Sequence, residues 1–316
     1  MSKNVIVGNS AGVFSAFLNF FSWMSIAEEN GLDISLHVTN KTNDWNNSST
    51  TVENPYIRSS QFDKSKLENN ILLDIFESNM VKKEYPESFI YLEHFPELFT
   101  NSLENYPQYL FKYGGKGGMS ISYQDSQHLD FIRQKFNEQW NKLSYTKKFQ
   151  KRIDQEEKLI RGKKVIAIML RNIHHYIDPS TGRVAMEDDV HTFIQNAIKN
   201  VRNCMSDYDA VLLTTQNQQY IDAFSKEFGE DCIFTDRPRF EEMRDWNGKY
   251  HADIGKVTSE MTDEQYRIEV ENCLLDVILT SKSDHILGTC SNMFLGALSM
   301  NTNNTCELIQ KQFWGA

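Results

Sequence analysis

Apolar residues along this chain fall into two rhythms that take turns. Val5-Ile6-Val7 is a short β-branched run that breaks at Gly8. An apolar stretch of helical length follows from Ala11 to about Glu29, with Asn30-Gly31 as its stop. Residues 32–39 (LDISLHVT) alternate as a strand does. Strand, helix, strand is the opening of a parallel sheet. The stretch 40–60 is polar, rich in Asn, Ser and Thr, and reads as a loop. Residues 89–95 read as a strand, and 113–123 as a turn with a short strand. From 125 to 161 the pattern is long, charged and helical. Acids alternate with bases there, so it reads as a solvated connector between two halves.

The second half has a clearer beat. Residues 165–170 (VIAIML) form the near-continuous apolar run of a parallel strand buried on both faces. Helical spacing follows over 188–205, a strand over 210–215, a helix over 218–229 and a strand over 232–235. After the polar segment 236–262 come a helix over 263–283, a strand over 285–289 and a helix over 292–300. This is the pattern of a doubly wound α/β domain. The expected organisation is therefore two α/β domains, 1–150 and 151–316. No internal repeat or low-complexity tract is visible.

Composition narrows the function classes. The 316 residues carry a formal net charge of −10, which argues against general binding to nucleic acid or anionic membranes, since both need a positive field. A local basic pocket for a phosphate remains compatible. No segment has the length and purity of a membrane span. The apolar stretch 11–27 imitates a signal peptide, but a strand and turn precede it and no small-residue cleavage site follows. Cys204, Cys232, Cys273, Cys290 and Cys306 lack CxxC or zinc spacing and read as reduced core thiols. A cytoplasmic protein is expected, and the Asn-X-Ser/Thr matches at Asn40, Asn46, Asn47 and Asn303 then carry no glycan.

Candidate chemistry gathers where ligands of open α/β sheets bind, beyond the carboxyl ends of the strands. Arg171, Asn172, His174 and His175 follow the strand at 165–170. Thr214, Thr215, Gln216 and Asn217 end the next. Gly288-Thr289-Cys290-Ser291-Asn292 interrupts an apolar run and opens a helix, whose N-terminal amides favour an anion such as phosphate. Arg171 would add a cation of bidentate geometry. Asp276 lies in an apolar helix (LLDVIL), where a carboxylate must find a partner or face water.

Over residues 165–300 this order of elements resembles the donor-binding domain of the α-1,6-fucosyltransferase superfamily. That group comprises nodulation and core fucosyltransferases and, more distantly, protein O-fucosyltransferases. The resemblance is strongest over Asp276, Asp284, Thr289 and Ser291. Members often carry tandem basic residues in the first loop, where Arg171 is here followed by Asn172. Their second strand usually ends in Thr-Asp, where this chain has Thr215-Gln216-Asn217. The resemblance implies a GT-B architecture, with two Rossmann-like domains facing a cleft. It also implies inverting transfer of fucose from GDP-fucose to a glycan acceptor, with no metal and no cofactor.

On that reading Arg171 stabilises the leaving β-phosphate. Gly288, Thr289, Cys290, Ser291 and Asn292 surround the diphosphate, the glycine letting the backbone come close. Thr215, Gln216 and Asn217 face the ribose or base, with His251 as a further contact. Asp276 orients a loop residue or binds the nucleotide. The acceptor's general base is sought among Asp178, His174, His175 and Glu187. Rival readings are transfer from GDP-mannose or a UDP-sugar, a non-catalytic nucleotide- or glycan-binding homologue, and an oxidoreductase. The last lacks a GxGxxG after the first strand.

Overall fold

The computed structural model of the chain describes residues 4–7, 13–38, 56–58, 69–84, 90–92, 113–114, 118–119, 126–170, 187–237, 239, 262–289 and 291–309. Two units share it. The first comprises Met1–Lys112, Gln124–Arg152 and Ile254–Cys273, and the second Tyr113–Tyr123, Ile153–Asp253 and Leu274–Ala316.

The first unit opens with β1 (Asn4–Val7), α1 (Val13–Asn30) and β2 (Asp33–Leu36), a parallel βαβ unit as the hydrophobic pattern predicts. Gly31 ends the helix at φ 60°, a conformation glycine adopts without a Cβ penalty. β3 (Tyr56–Arg58) lies within the stretch read from sequence as loop. It pairs antiparallel with β5 (Ile90–Leu92), which follows the two-residue β4 (Phe76–Glu77), so the sheet order is β2-β1-β5-β3. The short strands β6 (Tyr113–Gly114) and β7 (Gly118–Met119) form an antiparallel hairpin assigned to the second unit.

Next come α2 (Ser126–Trp140), β8 (Ser144–Tyr145), which pairs with β4, and α3 (Lys147–Glu156). Sequence reading takes α2 for a solvated connector, but one face of it is core. Ile132, Phe136, Gln139 and Trp140 recur at helical spacing and are buried. The Trp140 ring stacks on Phe17 of α1 at 5.4 Å, and Phe136 meets Phe21 at 5.6 Å. Phe17 is fully buried, and sequestering such a ring stabilises by about 1.5–3 kcal/mol. Ser22 and Ser25 satisfy their hydroxyls on the helix carbonyls of Leu18 and Phe21, so α1 can be buried despite them. Among the described residues no helix is long and apolar enough to cross a membrane.

The second unit is a five-stranded sheet, all parallel, ordered β11-β10-β9-β12-β13. Along the chain it runs β9 (Val165–Leu170), α4 (Glu187–Cys204), β10 (Ala210–Thr215), α5 (Gln218–Phe228), β11 (Cys232–Ile233), α6 (Asp263–Ser281), β12 (His285–Gly288), α7 (Asn292–Met300) and β13 (Thr305–Leu308). All six residues of β9 are buried, because helices cover both faces of the sheet. Ile166, Ile168, Leu170, Val211 and Leu213 pack with α4 and α5. Their alternates Val165, Ala167, Ala210 and Leu212 pack with Leu279 of α6. At the amino edge, Asp209 and Asp284 bracket the start of β9. The Asp209 carboxylate accepts the Lys164 N–H at 2.7 Å, and the Asp284 carboxylate accepts the Val165 N–H at 2.7 Å. Each aspartate returns its own N–H to the carbonyl of the same residue, adding one rung to the ladder on either side.

Candidate functional site

Strand order decides where a crevice opens. From β9 the chain winds through β10 to β11 on one side, then returns to β12 and winds to β13 on the other. The strands that follow β9 and β12 along the chain, β10 and β13, therefore lie on opposite sides of that pair. This is the topological switch point at which open α/β sheets bind ligands. The segment leaving β9 (171–186) holds Arg171, His174 and Asp178. These residues lie outside the described ones, as do His251, Cys290 and the side chain of Asn292.

The β12 side is built from the turn between β12 and α7. Thr289 is fully buried, and its N–H donates to the Met169 carbonyl of β9 at 3.1 Å, carrying the β9–β12 pairing one residue past the strand. Ser291 is the N-cap of α7, in extended conformation, and its Oγ accepts the Phe294 N–H at 3.1 Å. Gly288 has a packing reason to be small. A Cβ there would lie 2.3 Å from Cδ2 and 2.6 Å from Cε2 of Phe294, so the ring occupies the space a side chain would need. The turn thus holds the amino end of α7 beside the end of β9, and the amino end of a helix favours an anion.

At the end of β10 side chains likewise serve the local backbone. Thr215 Oγ1 accepts the Asn217 N–H at 3.2 Å, and Asn217 caps α5 by accepting the Gln219 N–H at 2.8 Å. Asn217 is 3 % exposed, and its Nδ2 is buried without a hydrogen-bond partner among the described residues. Gln216 is half-buried. Thr214 faces the opposite side and shares a hydrogen bond with Thr280 of α6 at 2.9 Å.

The structure adds residues that sequence reading passed over. Asp276 of α6 meets the chain leaving β11. Its Oδ1 accepts the Thr235 hydroxyl at 2.6 Å, and its Oδ2 lies 2.9 Å from Arg237 Nη2. That contact is an ion pair whose angles fall outside those of a hydrogen bond. Arg239 comes within 4.0 Å of the same oxygen and donates to the Thr235 carbonyl at 2.7 Å. The signal for Arg237 and Arg239 was available: an acid in an apolar helix demands a cation, and Asp236-Arg237-Pro238-Arg239 follows a strand directly. Asp284, the second acid of the resemblance, brackets β9 at the amino edge, away from the carboxyl-edge turn.

No protein-family model matches the chain, and no curated protein matches it by sequence. Solved structures do match it. A NodZ α-1,6-fucosyltransferase soaked with GDP-fucose superposes over 95 % of this chain and 93 % of its own, with a TM-score of 0.52 at 13 % identity. The same kind of enzyme co-crystallised with GDP matches over 94 % and 92 %, with a TM-score of 0.50 at 14 % identity. Fucosyltransferase NodZ from Bradyrhizobium matches over 94 % and 92 %, with a TM-score of 0.50 at 13 % identity. At such identities the likeness is one of backbone arrangement, and it spans nearly the full length of both chains. The chain therefore has the α/β fold of the GT-B α-1,6-fucosyltransferases.

Proposed function

We propose that this protein is a glycosyltransferase that moves fucose from GDP-fucose to a glycan acceptor, with inversion at the anomeric carbon and without a metal. The observation that carries the reading is the switch-point crevice, bordered by the amino end of α7, in a chain whose fold follows NodZ structures almost end to end. Helix N-termini and switch points suit a nucleoside diphosphate.

In the proposed step the acceptor hydroxyl oxygen attacks C1 of the sugar. The C1–O bond to the β-phosphate breaks on the opposite face, and GDP leaves with the bonding electron pair. Arg171 balances the charge that develops on the β-phosphate. The backbone donors of the turn 288–292 hold the diphosphate. Asp178 or His174 takes the acceptor's proton. Thr215, Gln216 and Asn217 meet the ribose or base, and the buried Nδ2 of Asn217 favours an acceptor atom there. Because this is an amide where similar enzymes have a carboxylate, transfer from GDP-mannose or a UDP-sugar is the second reading.

Calorimetric titration with GDP, UDP, GDP-fucose and NAD, with and without EDTA, tests the proposal. Tight GDP binding that survives EDTA, with transfer of fucose from GDP-fucose to a glycan and release of GDP, is the expected result. UDP preference or metal-dependent binding would redirect the donor assignment, and absence of all nucleotide binding would refute the site. Arg171→Ala should abolish GDP binding with the fold retained.

A further inference from the structure

The two polar atoms of the Asn217 side chain are in different situations. Oδ1 accepts the Gln219 N–H at 2.8 Å, as the N-cap of α5 does, and the Asn217 N–H in turn donates to Thr215 Oγ1 at 3.2 Å. The cap decides which way the amide lies, because a flipped amide would set its NH2 group against the Gln219 N–H. Nδ2 is therefore a donor with its orientation fixed. It is buried, in a residue 3 % exposed, and meets no acceptor among the described residues. Leaving a buried donor unmet is costly, so one that persists at the carboxyl edge of the sheet calls for an acceptor from a ligand.

Strand register tells which part of a nucleotide supplies that acceptor. Thr215 of β10 stands opposite Leu170 of β9, and on the other side of β9 the Thr289 N–H reaches the Met169 carbonyl. Asn217 and the turn 288–292 thus flank the end of β9, two strand spacings or roughly 10 Å apart. With the diphosphate on that turn, Asn217 lies past the phosphates and beside the nucleoside. A ribose hydroxyl suits a neutral, buried amide, since it accepts the N–H while its own proton turns to another acceptor. We infer that Asn217 is a specificity-determining residue of the donor site, whose Nδ2 donates to a hydroxyl oxygen on the 2′,3′ edge of the ribose. The inference rests on the nucleotide-binding reading above and narrows its choice of ribose or base to the ribose.

The two atoms can be separated by substitution. Asn217→Ser keeps a capping oxygen and lacks the amide nitrogen. Asn217→Asp keeps Oδ1 and puts an acceptor in place of Nδ2. Serine and aspartate cap helices as well as asparagine does, so both variants should melt close to the native temperature. Calorimetry then compares GDP with 2′-deoxy-GDP and 3′-deoxy-GDP. In the native chain one of the two analogues should bind roughly tenfold more weakly than GDP, because its missing hydroxyl leaves Nδ2 unmet. In Asn217→Ser, GDP itself should bind severalfold more weakly, and the same analogue should bind as well as GDP. In Asn217→Asp the hydroxyl turns to donate to the carboxylate, so discrimination against that analogue should return. Equal native affinity for GDP and both analogues would overturn the inference and leave the nucleotide site standing, as would a preference for GDP that survives Asn217→Ser unchanged. GDP binding abolished in a folded Asn217→Asp would overturn it too, because Nδ2 would then face a base or phosphate atom that only accepts. A native chain that binds neither GDP nor its analogues would bring down the functional reading and the inference together.

Discussion

Gly288→Ala puts a methyl group where the Phe294 ring already sits. The added Cβ would be 2.3 Å from Cδ2, 2.6 Å from Cε2 and 3.2 Å from Cγ, all atoms of a ring that is fully buried. A buried ring packed on all sides has no empty rotamer to move into, so the strain spreads into α7 and the end of β12. Overpacking of this kind costs about 1–3 kcal/mol. For a unit of this size that lowers the melting temperature by roughly 2–4 °C for each kcal/mol. Urea unfolding followed by circular dichroism reads the loss as a lower midpoint at unchanged slope. A double-mutant cycle isolates the cause. Phe294→Ala alone is destabilising by about 3–5 kcal/mol through the cavity it leaves, but in that background Gly288→Ala should cost almost nothing. If Gly288→Ala is as costly without the ring as with it, or costs nothing in the native background, the packing explanation of this glycine is wrong.

Three further outcomes follow from other contacts. Asp284→Ala leaves the Val165 N–H without its acceptor and should lower stability by about 1–3 kcal/mol; nucleotide affinity should stay native, because the lost bond lies at the amino edge, and a weakened affinity would contradict that placement. Burial holds His285 below its ordinary value of 6.5, against the opposing charge of Glu307. The unfolded chain then takes up that proton more readily, so the His285 contribution to stability is complete above pH 6.5 and is lost as pH falls through that value toward the lower folded pKa. His285→Gln should flatten this part of the pH–stability curve, and an unchanged curve would refute the assignment. Burial also pushes the Cys232 thiol up to about 11, with the Ser225 hydrogen bond opposing. Iodoacetamide at pH 8 should therefore modify native Cys232 slowly, as followed by mass spectrometry, and rapid modification would show a thiol far more exposed than described.

Sequence legibility tracked how strongly burial was written into local pattern. β9 and β10 were read to the residue, because strands covered on both faces leave uninterrupted apolar runs. β13 passed unread: it is an edge strand whose residues Thr305 to Leu308 are at least partly exposed, so neither face demands a hydrophobic signature. β3 is three residues in a polar stretch, too short to show alternation, and its pairing with β5 is a tertiary choice. α2 was misjudged because its many charges on one face masked the Ile132, Phe136 and Trp140 stripe on the other. The same division holds for the site. The acid at 276 announces a need for a partner, but that Arg237 answers it depends on where the chain turns after β11.

The pairing of β9 with β12 has a consequence for the birth of the protein on the ribosome. The Val165 amide and its Asp284 acceptor are separated by 119 residues of chain. During translation at about 5–20 residues per second, β9 emerges roughly 6–24 s before β12 exists to cover its second edge. Through that interval the strand Val165-Ile166-Ala167-Ile168-Met169-Leu170 can gain β10 on one side, while the other side offers unsatisfied backbone groups and apolar side chains to any neighbouring chain. The crevice proposed for the donor therefore lies at the seam of the sheet that waits longest for its second strand, and the same strand order that creates it makes the nascent chain dependent on protection from self-association until residue 288 has been made.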